Sequence, residues 1–129
     1  MKSLLIHIGH ADIVEAEKQI NKQIKDLKGF VSIKVTTNGQ NDMAIVLYDG
    51  ESTISKPTVK IVEFSITDAK EAQKKIDAAL EGLKVVSVEP TCIVNMNRLV
   101  IVYDAGASDK ASSSTTESEM DSETKKNNE

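Results

Sequence analysis

The sequence predicts an α+β fold. Two tandem β-α-β-β repeats form one pseudo-twofold domain, with a mainly antiparallel sheet and two helices, followed by a disordered C-terminal tail. Three observations predict it. The chain repeats itself: Leu4–Lys28 aligns with Lys60–Lys84 at an offset of 56, and Phe30–Asp49 with Val85–Asp104 at an offset of 55 when Gly29 is taken as an insertion. Each copy carries one apolar stripe at helical spacing. Each then continues as short β-prone runs punctuated by turn residues. The identical pairs include Asp12/Asp68, Glu15/Glu71, Ile20/Ile76, Leu27/Leu83, Thr36/Thr91, Tyr48/Tyr103 and Asp49/Asp104. Repeat one spans 3–49, repeat two 59–104, and the whole domain 1–104.

Residues 3–9 (SLLIHIG) are apolar and compact, which suits a strand near the centre of a sheet. Asp12 stands three residues before Glu15, an N-cap acid followed by an acid in the first turn, where the helix dipole favours negative charge. Ile13, Ala16, Ile20, Ile24 and Leu27 then form one stripe on a helix of about four turns. Lys25 and Lys28 lie near its end and Gly29 is its natural stop. Residues 30–36 alternate, with Val31, Ile33 and Val35 on one face. Asn38-Gly39 signals a tight turn, and residues 43–48 (MAIVLY) return as the other arm of a hairpin.

Asp49 to Pro57 reads as the linker between copies. Residues 59–66 form the fourth strand. Thr67 or Asp68 caps the second helix, whose stripe is Ala69, Ala72, Ile76, Leu80 and Leu83. Residues 85–89 repeat the second strand. Pro90 lacks a backbone donor, so that strand is expected to bulge or lie at an edge there. Residues 99–103 (LVIVY) form the last strand. The preferred assembly is one sheet of about six strands with both helices on one face; a ferredoxin-like β-α-β-β-α-β core with an added strand is the alternative. The central strands are apolar on both faces, which calls for a second covering layer, and a homodimer would supply it.

From 105 to 129 the composition changes to Ser, Thr, acids, Lys and Asn, with Met120 the single large apolar side chain. Such a segment buries too little surface to offset its ordering entropy, so disorder is expected. Its six acids and three lysines carry most of the net charge of −4, leaving the body near neutral. A near-neutral body gives no electrostatic footprint for nucleic acid or anionic lipid. The single cysteine, Cys92, excludes an internal disulfide and is expected to be a buried or half-buried thiol. The apolar run at the N-terminus is too short for a signal-peptide core and no segment is long enough to span a membrane, so a soluble cytoplasmic protein is expected.

Glu15, Ile20-Asn21, Ile24, Ser32-Ile33-Lys34-Val35 and Ala44-Ile45-Val46-Leu47-Tyr48 give the first copy a resemblance to a group of small sporulation-associated Firmicute and phage proteins built as a single β-α-β-β unit. The resemblance covers about 45 residues, weakens in the second copy at Pro90, and implies a fold and a phage or mobile-element setting rather than an activity. The unit order is also similar to that of dodecin. Dodecin-like flavin binding uses a Trp, and this chain has none.

Chemistry-bearing patterns are few. His7 and His10 have the spacing HxxH but would point to opposite faces of a strand, and no Cys, Asp or Glu cluster completes a metal set. No phosphate-cradling glycine motif is present. Asp12 with Asp68 and Glu15 with Glu71 repeat as paired carboxylates that helix capping explains. Tyr48-Asp49 and Tyr103-Asp104 repeat at the ends of the last strands and are the candidate ligand-binding residues, placed to line a groove at the pseudo-twofold axis. The expectation is a non-enzymatic interaction protein without cofactor or metal, binding a protein partner or itself. The alternative is a small-molecule binder with its pocket at that axis.

Overall fold

The structure, a computed structural model, describes residues 1–9, 11–93 and 95–106. His10 and residues 107–129, which include most of the tail expected to be disordered, lie outside the described residues. The chain folds as two β-α-β-β units: β1 (Lys2–Gly9), α1 (Ile13–Ile24), β2 (Ser32–Thr37) and β3 (Asp42–Tyr48), then β4 (Pro57–Phe64), α2 (Ala69–Leu80), β5 (Val85–Ile93) and β6 (Met96–Asp104). The α+β class and the duplicated unit are as the sequence predicts.

The repeat extends to individual hydrogen bonds. Glu15 N donates to Asp12 Oδ1 and Glu71 N to Asp68 Oδ1, so each helix starts on its aspartate. Leu27 N donates to Ile24 O and Leu83 N to Leu80 O, closing the same turn after each helix. Asp49 N donates to Lys28 O and Asp104 N to Lys84 O, tying each last strand to the segment that leaves its helix. Helix α1 stops at Ile24, earlier than the stripe predicts, and Leu27 keeps its inward position through that turn rather than through a further helical residue.

The strands divide into two antiparallel sheets of three rather than joining into one of six. Sheet A has the order β1-β3-β2 and sheet B the order β4-β6-β5. The reason lies at the edges. Val59 and Ile61 of β4 turn their amides away from β6, toward α1, where Asn21 and Glu17 receive them. Alternation along an antiparallel pair puts Pro57 in the same outward set, so its missing N–H falls on the open side. On β5 the outward set is Val88, Pro90 and Cys92, consistent with the Thr37 hydroxyl bonding Cys92 O from the neighbouring β2. Pro90 therefore sits on an edge strand, as expected. The irregularity in β5 falls earlier, between Val85 and Ser87.

Two core clusters follow. The larger unites Ile6, Ile33, Ala44 and Val46 of sheet A, Ala16, Ile20 and Ile24 of α1, and Val59, Ile61, Val100 and Val102 of sheet B. The smaller lies on the other face of sheet B, where Leu99 and Ile101 meet Ala79 of α2. The two helices thus do not share one face of a common sheet. α1 buries one face in the core shared by the two units and leaves the other exposed, and α2 caps the outer side of the second.

Candidate interaction surface

Where the units meet, the contact is built from a backbone clamp, an apolar layer and a polar seam. The clamp is made by α1. Asn21 Nδ2 donates to Val59 O at 3.1 Å, and its Oδ1 accepts from Val59 N at 2.8 Å. Glu17 Oε2 accepts from Ile61 N at 2.7 Å. These side chains occupy the ladder positions of a missing strand and protect the edge of sheet B. The apolar layer is Val59, Ile61, Val100 and Val102, the face of sheet B that looks away from α2. Each such buried side chain contributes about 1.5–3 kcal/mol.

The polar seam closes the remaining sides. Glu89 accepts from Val35 N and Lys34 Nζ, each at 3.3 Å. The Thr91 hydroxyl donates to the buried Asp42 carboxylate, whose two oxygens lie 2.8 and 2.7 Å away. Arg98 is buried and donates from Nη1 to Ala11 O at 2.7 Å, while its Nε faces Glu63 Oε2 at 3.8 Å, an attraction without a hydrogen bond.

The repeat makes a direct comparison possible, and it is unequal. The register is the same in both sheets: Ser3 pairs Leu47 and Leu5 pairs Ile45 as Val59 pairs Val102 and Ile61 pairs Val100. Yet Ile61 is 7% exposed and its counterpart Leu5 57%. Among the described residues, no layer covers the face of sheet A made by Leu5, Ile45 and Leu47, where Ile45 and Leu47 are half-buried. On the other side of the molecule, Phe30 and Ile33 are 1% and 0% exposed, while their counterparts Val85 and Val88 are 40% and 43% exposed. Ala16, Ile20 and Ile24 are buried, whereas Ala72, Ile76 and Leu80 are only half-buried. Cys92, expected to be at least half-buried, is exposed on this side of β5; the cluster that α2 forms takes in residues of β4 and β6 and none of β5.

The sequence-predicted site residues have separate local roles. Asp49 takes a left-handed backbone conformation (φ 69°) and pairs with Lys2 at 3.3 Å. Tyr48 is half-buried at the end of β3, and Tyr103 packs against the α2 cluster. Asp104 is buried and organises the linker: it accepts from Ser55 N, Ser55 Oγ, Lys56 N and Gly106 N at 2.9–3.1 Å. Burial alone would raise its carboxyl; the bonds from Ser55, Lys56 and Gly106 outweigh this and hold it below the ordinary aspartate value. Ala105 is held too, its N–H donating to Lys56 O.

Three clefts among the described residues lie elsewhere. One, at the open ends of β4 and β6, involves Phe64, Cys92 and Met96. Another lies by the β2–β3 turn, beside His7 and Asp42. A third, of about 420 Å³, runs between the end of β4 and α2, beside Phe64, Ile66, Ala72, Gln73, Ile76 and Asp77. Gln73 and Asp77 are the counterparts of Glu17 and Asn21, so this cleft lies along the flank of α2 that matches the clamp on α1. Among the described residues, no group of three His, Cys, Asp or Glu side chains could hold a metal ion. No helix described is long and apolar enough to cross a membrane.

Sequence reasoning missed the clamp. Asn21 and Glu17 were the available signal: two polar side chains four apart that flank the apolar stripe and are replaced in the second copy by Asp77 and Gln73. Searches against protein-family models, curated proteins and solved structures return no match to this chain.

Proposed function

We infer that this chain is a non-enzymatic interaction protein of the cytoplasm that docks a protein chain on the uncovered face and edge of sheet A. The observation that carries the reading is the contrast between Ile61, buried when the units meet, and Leu5, its exposed counterpart on a sheet with the same register. An apolar strip beside an open strand edge is the usual ground for strand addition or face-to-face packing. By that register the Ser3 and Leu5 amides point away from β3, ready to bond a partner. The phage or mobile-element setting rests on the resemblance of the first unit alone.

Native mass spectrometry of the protein purified from a bacterial host tests this. Masses equal to the 14.0 kDa chain, to its multiples, or to the chain plus a co-purifying protein agree with the reading, provided that Leu5→Glu removes the larger species. A bound mass of a few hundred daltons that is retained in Leu5→Glu and lost on denaturation would instead favour a small-molecule binder.

A further inference from the structure

We propose that the docked partner is a second copy of this chain, joined head to tail: the open face and β1 edge of one copy seat on the α2 side of the next. This rests on the interaction reading above and names its partner.

The contact between the two units of one chain is the template. There, α1 holds the β4 edge through Asn21 and Glu17, and Phe30 and Ile33 belong to the same buried cluster as Val59, Ile61, Val100 and Val102. The clamp and the apolar layer of that contact have counterparts that the chain leaves less covered; the β2–β5 seam does not, because Lys34 and Glu89 are each other's counterparts and already pair. The β4 edge corresponds to the β1 edge, with Ser3 and Leu5 in place of Val59 and Ile61. The apolar face of Val100 and Val102 corresponds to Ile45 and Leu47. On the receiving side, Phe30 and Ile33 correspond to the half-exposed Val85 and Val88, and the α1 stripe to the half-buried Ala72, Ile76 and Leu80. The cleft beside Gln73 and Asp77 corresponds to the seat that β4 occupies on α1. One molecule therefore presents both halves of the clamp and apolar layer that it already uses once internally.

The match is incomplete at Asp77, at Pro90 and at Met43, which stands where Arg98 donates to Ala11 O and has no donor to offer. Asp77 accepts from a strand N–H but has no donor for the carbonyl, so Gln73 is the one amide available to bond both. Pro90 stands where Val35 donates to Glu89, so that bond of the polar seam does not recur. The intermolecular contact is accordingly weaker than the internal one. Because the two surfaces differ, the contact is heterologous: copies add in series or close into a ring.

Sedimentation velocity of the full chain and two variants decides it. Wild type should form species above 14.0 kDa in a concentration-dependent way. Leu5→Glu spoils one surface and Val88→Glu the other, so each alone should stay at the single-chain mass. Mixed in equal amounts they should form a species of twice the chain mass and go no further, since one intact surface remains on each. A mixture that stays at the single-chain mass, or a single variant that assembles like wild type, overturns the proposal. Each variant must keep the wild-type amide spectrum; Leu5→Lys and Val85→Lys replace any that does not. A wild-type chain that stays monomeric, while Leu5→Glu abolishes capture of an unrelated protein, overturns self-assembly and leaves the interaction reading standing. A chain that neither self-associates nor depends on Leu5 for capture overturns both.

Discussion

The side-chain amide of Asn21 does for Val59 what a neighbouring strand would do, donating to its carbonyl at 3.1 Å and accepting from its N–H at 2.8 Å. A helix thereby closes the edge of a sheet that belongs to the other unit. Asn21→Ala should leave the part-buried Val59 amide and carbonyl without partners, a loss of about 1–3 kcal/mol. Urea unfolding measures it. Native-state hydrogen exchange should show the Val59 amide losing protection before that of Val100 on the central strand.

The unequal use of the two units makes a paired prediction. Ile61→Ala removes a side chain packed between units and should cost about 2–5 kcal/mol. Leu5→Ala, at the matching position of sheet A, should fall within about 0.5 kcal/mol in dilute protein. Equal losses in thermal or chemical unfolding would mean that the two faces are covered alike.

Much of this arrangement was legible in the sequence, for reasons that are local. Asp12 and Asp68 announced their helices because capping needs only residues three positions apart. Pro90 announced an edge because a missing donor is a property of one residue. The division into two sheets was not legible. Apolar strands such as LVIVY show that both faces are covered but not by what, and α1 and sheet B turned out to be the cover. The repeated Tyr-Asp pairs suggested a shared groove. Repetition reports a common fold position, and Asp104 uses its position to hold the linker through Ser55 and Lys56.

Asp104 gives the stability a pH dependence of defined sign. Its folded carboxyl titrates below the ordinary aspartate value, so its contribution is present above the unfolded value and is lost as pH falls through the folded one. Asp104→Asn should be about 1–3 kcal/mol less stable at neutral pH, because an amide offers fewer acceptors to the donors of Ser55, Lys56 and Gly106. The difference should shrink in strong acid. Denaturation midpoints of both proteins across the acid range check this.

Gly29 and Gly39 both have positive φ, but only one is crowded. A Cβ on Gly29 would meet Gly50 O at 2.7 Å, while one on Gly39 would meet nothing within 4 Å. Gly39→Ala should cost about 1–2 kcal/mol for the left-handed backbone alone. Gly29→Ala should cost clearly more, since two backbone segments must separate. Melting temperatures of the two variants give the order.

Asp77→Asn restores to α2 the donor that Asn21 supplies on α1. One added hydrogen bond of about 1 kcal/mol should strengthen self-association about five-fold. Sedimentation equilibrium reads the change, and weakened association would show that this flank of α2 does not receive a strand.

The most direct measurement is amide hydrogen exchange in the wild-type chain at low and high protein concentration. Val59 and Ile61, held by Asn21 and Glu17, should exchange slowly at both. Ser3 and Leu5, their counterparts on the open edge of β1, should exchange fast when dilute and become protected when concentrated. Fast exchange of Ser3 and Leu5 at every concentration, with the chain fully folded, would contradict docking of a second copy on that edge.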